Sequence, residues 1–460
     1  MKHFRKYSLL FCLLSALLFS SVFGNIALAV ETEEEMTEVI EKPEAPAVDA
    51  DGKPILPTGV TGILVERKTG YVLFEKDSRK RMYPASTTKV MTALLALEAV
   101  EQGVLTMETP FTVTEDILEG LDPDGTNIAL KPGETLTLLQ LLHGLMIASG
   151  NDAAVAIATL VSGSEIAFVD RMNQRAAELE LTDTHFVNPH GLHDENHYTT
   201  AADMAEIART AMGLASFRNI VDIAHIKIPP TNMTEEERYY INTNGLISAM
   251  RYRDYYYPKS TGIKTGYTSE AGNCLVASAT DKGMELVSVL FGADGVDHSH
   301  KGSILMLDYG FSSHTTISPV GENQIMGEIK VRQARQRDSV TLSSLERVSV
   351  VAPNGTVPED LEVKLHLPES LKAPIAKGEQ VGTFSIYLEG QELGGGILCA
   401  DTEVKRSFFW PALALFEWLW SFLLIRVLCY FVLIVFGLFV VVFLLRFYNE
   451  IRRSMRKREK

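Results

Sequence analysis

From Val427 to Leu445 the chain runs for about nineteen residues without a charge, long enough at about 1.5 Å per residue to cross the hydrocarbon core of a bilayer. Such a stretch sets the layout of everything else. Beyond it, Arg446, Arg452, Arg453, Arg456, Lys457, Arg458 and Lys460 make residues 446–460 a basic tail, which the positive-inside tendency places in the cytoplasm. The bulk of the chain is then expected outside the cell membrane. The N-terminus agrees, since residues 1–29 carry Lys2, Arg5 and Lys6, an apolar run from Leu9 to Phe19, and then Ala27-Leu28-Ala29, the pattern of a signal peptide cleaved before Val30. Between the globular part and the span, residues 408–425 are apolar but interrupted by Glu417. They hold Trp410, Trp418 and Trp420, so they read as an interfacial segment.

Residues 30–57 are rich in Glu, Pro and Ala with few large apolar side chains, too little to offset chain entropy, and are expected to be a flexible acidic leader. The rest of a 460-residue chain exceeds one core, so two folded units are expected. The net charge of −15 is unevenly spread, with acidic residues crowded in the leader and basic ones at the C-terminal tip, which argues against nucleic acid as a partner. Of four cysteines, Cys12 lies in the signal and Cys429 in the span, leaving Cys274 and Cys399 in different units, with no disulfide framework and no zinc-type spacing.

Gly62–Val65 and Tyr71–Phe74 read as strands joined by a turn at Lys68-Thr69-Gly70. From Thr87 to about Val100, Val90, Met91, Leu94, Leu95 and Leu97 recur at helical spacing, which puts Ser86 at a helix N-terminus. A second helix is expected from Leu136 to Ala148, stopping at Ser149-Gly150-Asn151, and the chain stays mostly helical to about Leu214. Strands return at 260–267, 274–279 and 286–292 as an antiparallel meander. Residues 58–312 form one unit on this reading, and the short alternating runs of 315–405 a second, all-β one.

Three motifs occur in order: Ser86-Thr87-Thr88-Lys89, Ser149-Gly150-Asn151 and Lys264-Thr265-Gly266. Residues i and i+3 share a helix face, which brings the Lys89 amine to the Ser86 hydroxyl. A lysine that is desolvated beside a second cation, Lys264, is pushed towards the neutral form that a base requires. The helix N-terminus favours a developing alkoxide at Ser86. Ser149 and Asn151 sit between two helices, where helix capping alone would also explain them. In a strand, Lys264 and Gly266 face one way and Thr265 the other, with the glycine leaving room for a substrate backbone. Two decoys share these patterns: Lys68-Thr69-Gly70 in the early hairpin and Ser454-Met455-Arg456-Lys457 in the basic tail.

The three motifs together match the S-x-x-K, S-x-N, K-T-G set of penicillin-binding proteins and β-lactamases. With Pro84–Ala93, Ile147–Ala153, Asn188-Pro189-His190-Gly191-Leu192 and Gly262–Thr268, the chain resembles the low-molecular-weight penicillin-binding D-alanyl-D-alanine carboxypeptidases over residues 58–312, and their C-terminal domain to about 405. The resemblance implies an α/β fold: an antiparallel sheet flanked by helices, with a helical subdomain, followed by a small all-β domain and one transmembrane helix. It implies Ser86 as acylated nucleophile, Lys89 as base, and Ser149 and Asn151 as proton relay and amide holder. Lys264 and Thr265 would engage the substrate carboxylate in a wall formed with Gly266, and the backbone N–H groups of Ser86 and Tyr267 would form the oxyanion hole. The implied partners are the peptidoglycan stem pentapeptide and, as covalent inhibitors, β-lactam antibiotics, with no cofactor and no metal.

Family members often carry an arginine after the strand ending near Gly292, whereas residues 293–301 here offer Asp294, Asp297, His298, His300 and Lys301. The carboxylate contact is therefore expected to fall mainly on Lys264 and Thr265, with Lys301 or a protonated histidine as a lesser contributor. Three alternatives compete. His190, His193 and His197 with Asp194 and Glu195 could suggest a metal, but H-E-x-x-H is absent. A β-lactamase-type hydrolase shares the motifs, but no E-x-x-L-N stretch lies between Ser149 and Lys264. A catalytically silent penicillin-binding scaffold would not need all motif residues intact.

Overall fold

The computed structural model describes residues 45–121, 125–335, 337–408 and 423–458, with isolated positions between 415 and 421. The signal peptide, most of the leader and most of the interfacial segment expected above lie outside the described residues.

Strand β1 (Thr61–Glu66) is buried at all six positions, which explains its unbroken apolar reading. Its alternate side chains feed two different cores: Ile63 and Val65 enter one apolar cluster, Leu64 the other. Sheets covered on both faces lose the apolar-polar alternation of half-exposed strands. β2 (Val72–Lys76) returns from β1 through the Lys68-Thr69-Gly70 turn, where Thr69 N–H and Oγ1–H both donate to Glu66 Oε2 (2.7 and 2.8 Å). The first decoy is thus a turn held by its own side chain.

The Ala85–Thr88 stretch is a 3-10 turn and α1 proper runs Lys89–Glu101, so Ser86 stands in the turn that enters the helix. α1 is buried almost all round, as a helix at the centre of a bundle must be. α2 (Leu138–Met146) begins two residues later than its periodicity suggests, because Thr137 and Gln140 form a capping box. α3 (Asn151–Ser162), α4 (Glu165–Glu178), α5 (Ala201–Gly213) and α6 (Ala215–Val221) complete the helical layer around α1.

β3 (Ser260–Thr268), β4 (Gly272–Asp281) and β5 (Met284–Ala293) form the expected antiparallel meander, and the sheet order is β2-β1-β5-β4-β3. α5 covers one face, and α7 (Val296–Ser313) the other. β3 is the edge strand, and it lies against the Ala85–Thr88 turn. Between His314 and Ala400 the chain is mainly β-structured, with a six-stranded sheet and a two-stranded one. Its apolar residues, such as Val350, Phe384 and Leu398, join the cluster that contains Leu64, Leu286 and Met306 under α7. Cys274 and Cys399 are buried free thiols.

Helix α8 (Leu423–Arg458) is long and apolar enough to cross a membrane, and none of its apolar window is buried against protein. It passes unbroken through Arg426 and into the basic tail.

Candidate active site

The 3-10 turn eclipses residues three apart, and Lys89 Nζ lies 2.9 Å from Ser86 Oγ. Lys89 is wholly buried, and Nζ has two further partners, Asn151 Oδ1 and the His190 carbonyl oxygen, each at 2.7 Å. Burial pushes the amine well below its ordinary range, the nearby Lys264 adds to the effect, and Asp152 opposes it. A neutral amine has two N–H groups and one lone pair. The N–H groups suit Asn151 and His190, so the lone pair is left facing the Ser86 hydroxyl.

The loop that supplies the His190 carbonyl is built around Gly191, whose φ is +89°. A Cβ there would stand 1.9 Å from the Ala85 carbonyl oxygen, so only glycine lets this loop lie against the nucleophile turn. Asn188 Oδ1 accepts from Gly191 N–H (2.6 Å), Thr92 Oγ1–H donates to the Pro189 carbonyl (2.6 Å), and Lys89 is held from outside by this scaffold. Buried His197 clamps the same region. Its Nδ1 accepts the Val187 N–H, so Nε2 carries the proton and donates to Thr88 Oγ1 at 2.8 Å. His193 packs edge-on against Tyr83. The three histidines read from sequence as a metal alternative thus serve separate contacts, and among the described residues no group of three His, Cys, Asp or Glu side chains converges as ligands would.

Ser149 has a φ of +67° and is nearly buried at the cleft wall. Gly150, not Ser149, holds the N-cap position of α3, and no side chain caps it. Capping therefore does not account for Ser149. Asp152 fixes the opposite loop by accepting the backbone N–H groups of Ile128 and Leu130 (2.9 and 3.0 Å).

On β3, Lys264 is also wholly buried, and Nζ donates to the Thr265 carbonyl (2.9 Å) and reaches Thr243 Oγ1 at 3.4 Å. Thr265 Oγ1 meets the same Thr243 hydroxyl at 2.8 Å. Burial, then the positive charge of Arg251, brings the Lys264 amine down to about 7. Gly266 has a packing role that its sequence does not suggest: a Cβ on it would come 3.0 Å from Pro84 O and from Ser86 N. The close approach it permits in this structure is that of the nucleophile turn. The Tyr267 side chain points outward and is 66% exposed.

Ser86, Ser149, Thr243, Thr265 and Gly266 line one cleft of about 230 Å³, with Tyr267, Arg251 and His300 among its other walls. Sequence reasoning missed Thr243, Arg251 and the His190 carbonyl. The last was within reach, since Asn188–Leu192 is one of the segments that carry the family resemblance. The residues after β5 do not supply a cation to the cleft. Lys301 is paired with Asp297 (2.9 Å) and does not line the cleft. His300 is buried, drawn down to about 4 chiefly by desolvation, and accepts the Gly245 N–H on Nε2 while Nδ1 faces the Val296 carbonyl, an arrangement for a neutral ring.

Residues 57–295 match the D-alanyl-D-alanine carboxypeptidase family, and residues 314–406 match the C-terminal domain of penicillin-binding protein 5. The D-alanyl-D-alanine carboxypeptidase DacF of Bacillus subtilis is 36% identical over 76% of this chain and 86% of its own length. DacA of Escherichia coli K12, a protein of the same description, is 32% identical over 80% of this chain and 86% of its own. The crystal structure of penicillin binding protein 5 from Haemophilus influenzae superposes with a TM-score of 0.62 at 29% identity, covering 76% of this chain and 100% of that one. With the serine–lysine pair, the edge-strand motif and the following β domain all in the family's order, the chain belongs to the D-alanyl-D-alanine carboxypeptidases of the penicillin-binding protein family.

Proposed function

We propose that this chain removes the terminal D-alanine from peptidoglycan stem pentapeptides through an acyl-enzyme on Ser86, with its catalytic part outside the cell membrane. The observation that carries the reading is the position of Lys89: buried, 2.9 Å from Ser86 Oγ, and satisfied on its other side by Asn151 and the His190 carbonyl. Neutral Lys89 takes the Ser86 proton as Oγ attacks the carbonyl carbon of the penultimate D-alanine. The backbone N–H groups of Ser86 and Tyr267 receive the oxyanion. As the tetrahedral species collapses, the C–N bond breaks and the leaving amine receives a proton, relayed through the Ser149 hydroxyl, so free D-alanine departs. Water then attacks the ester carbonyl as Lys89 accepts its proton, the C–Oγ bond breaks with that proton passing to Ser86 Oγ, and the shortened peptide leaves as its acid, which ionises in water.

Asn151 has two roles, holding the Lys89 amine through Oδ1 and offering its amide to the substrate. Thr265, backed by Thr243 and Lys264, forms the wall against which the substrate C-terminus lies. β-Lactams enter the same cycle and stop at the acyl-enzyme. Intact-mass spectrometry of the chain after benzylpenicillin, together with D-alanine release from a pentapeptide, tests the reading. Wild type should gain one penicillin mass and release D-alanine, and Ser86→Ala should do neither. Labelling of Ser86→Ala would refute the nucleophile, turnover of penicillin would favour a β-lactamase, and labelling without D-alanine release would favour a silent scaffold.

A further inference from the structure

A substrate with a free C-terminus brings a carboxylate into the cleft, and leaving it without a cation there is costly. The three sources of charge that sequence offered each fall short. Lys264 lies behind the wall, wholly buried, with Nζ directed at the Thr265 carbonyl and the Thr243 hydroxyl. Lys301 is held by Asp297 outside the cleft, and His300 accepts a backbone N–H as a neutral ring.

Arg251 stands where these do not. It lines the cleft with Ser86, Thr243 and Thr265, and among the described lining residues it is the only lysine or arginine. No ion pair engages it among the described residues, and its guanidinium lies over the Tyr252 ring, 5.6 Å from the centroid. The segment that presents it is fixed at several points. Gly245 N–H donates to His300 Nε2, Tyr252 and Tyr255 pack on the His300 ring, and the Tyr255 hydroxyl donates to Asp297 Oδ1 (2.9 Å). The N-terminal turn of α7, which lacks an arginine of its own, thus anchors the turn that supplies one. A guanidinium offers a planar fork of N–H donors that matches a carboxylate in two-point contact.

We propose that Arg251 is the specificity residue for the substrate's free C-terminal carboxylate, binding it at the cleft surface beside the Thr265 and Thr243 hydroxyls, with Lys264 as a buried support. The inference rests on the carboxypeptidase reading above.

The test compares full-length, detergent-solubilised wild type with Arg251→Gln, Arg251→Lys and Lys301→Ala on a diacylated L-Lys-D-Ala-D-Ala peptide, as the free acid and as its C-terminal amide. Active sites are counted by saturating penicillin labelling. Wild type should prefer the acid. Arg251→Gln should lose at least about tenfold in kcat/KM on the acid, mainly through KM, and little on the amide, so the acid-to-amide ratio collapses. Arg251→Lys should fall between, and Lys301→Ala should keep the wild-type ratio. An unchanged ratio in labelled Arg251→Gln overturns the proposal, as does loss of the preference in Lys301→Ala. If Arg251→Gln fails to label at all, the ratio in Arg251→Lys decides in the same way. Absence of D-alanine release by wild type overturns the parent reading and this inference with it.

Discussion

Gly266 on the edge strand and Ser86 on the nucleophile turn approach so closely that a Cβ at the glycine would come 3.0 Å from the Ser86 backbone nitrogen. The same glycine would press Pro84 O and the Ala85 side chain. A methyl group there meets backbone rather than a flexible side chain, so the strand or the turn has to move. Gly266→Ala is expected to cost about 1–3 kcal/mol of stability and to slow penicillin acylation at least about tenfold, because the displaced turn carries both the nucleophile and a proposed oxyanion donor. Acylation rates and thermal unfolding of the purified variant check this. Wild-type acylation with an intact melting profile would show that the contact is not critical.

The buried amine of Lys264 makes stability depend on alkaline pH. Its pKa is about 7 in the folded chain against an ordinary value of 10.5. Between these values the unfolded chain binds a proton that the folded chain does not, so stability rises as pH increases from about 7 to about 10.5. Below 7 both states are protonated and the group adds no further slope. Lys264→Met should flatten this rise by a few kcal/mol across the window, seen as the difference between wild-type and variant denaturant midpoints at pH 7 and pH 10. Equal slopes would mean that Lys264 is charged in the folded chain at pH 10.

His197 acts at the opposite end of the scale. Desolvation holds it down to about 3, against an ordinary 6.5, and its two ring nitrogens are committed to Val187 and Thr88. As pH falls from about 6.5 to about 3 the unfolded chain takes up a proton that the folded ring refuses, so the folded state loses stability through that window. His197→Gln should start less stable at pH 7.5, through lost packing and a lost hydrogen bond, but decline less steeply towards pH 4. Parallel decline in a pH series of thermal melts would assign the acid sensitivity elsewhere.

How far the site was legible depended on range. The Ser86–Lys89 pair was readable because three residues along a helical turn share a face whatever surrounds them. Strand alternation likewise put Lys264 and Gly266 on one face, yet it could not say that this face meets the Pro84–Ser86 backbone, a contact set by packing across some 180 residues. The start of α2 was missed although Thr137 and Gln140 stood in the sequence as a capping pair. Arg251 carried no local signal. Its place follows from His300 and Asp297, about fifty residues downstream, which hold its turn through Gly245 and Tyr255. The two-sided burial of β1 was visible as an apolar run, but which of two cores each side chain enters needs the helices on both faces.

Helix α8 carries the last prediction. Its 36 residues extend for about 54 Å, well beyond a hydrocarbon core of about 30 Å. The uncharged part, 427–445, accounts for about 28 Å, and most of the surplus lies on the C-terminal side, where Arg446, Arg452 and Arg453 continue the same helix. The helix should therefore cross once and project its basic turns beyond the membrane as a rigid extension, on the side opposite the catalytic part. Cys274 and Cys399 are buried and Cys429 falls within the apolar stretch, so background reaction with a membrane-impermeant maleimide should be low. In intact cells Ser407→Cys should react and Ser454→Cys should not, and permeabilisation should expose the latter. Reaction of Ser454→Cys in unpermeabilised cells would place the basic tail outside and require a second crossing between 408 and 445.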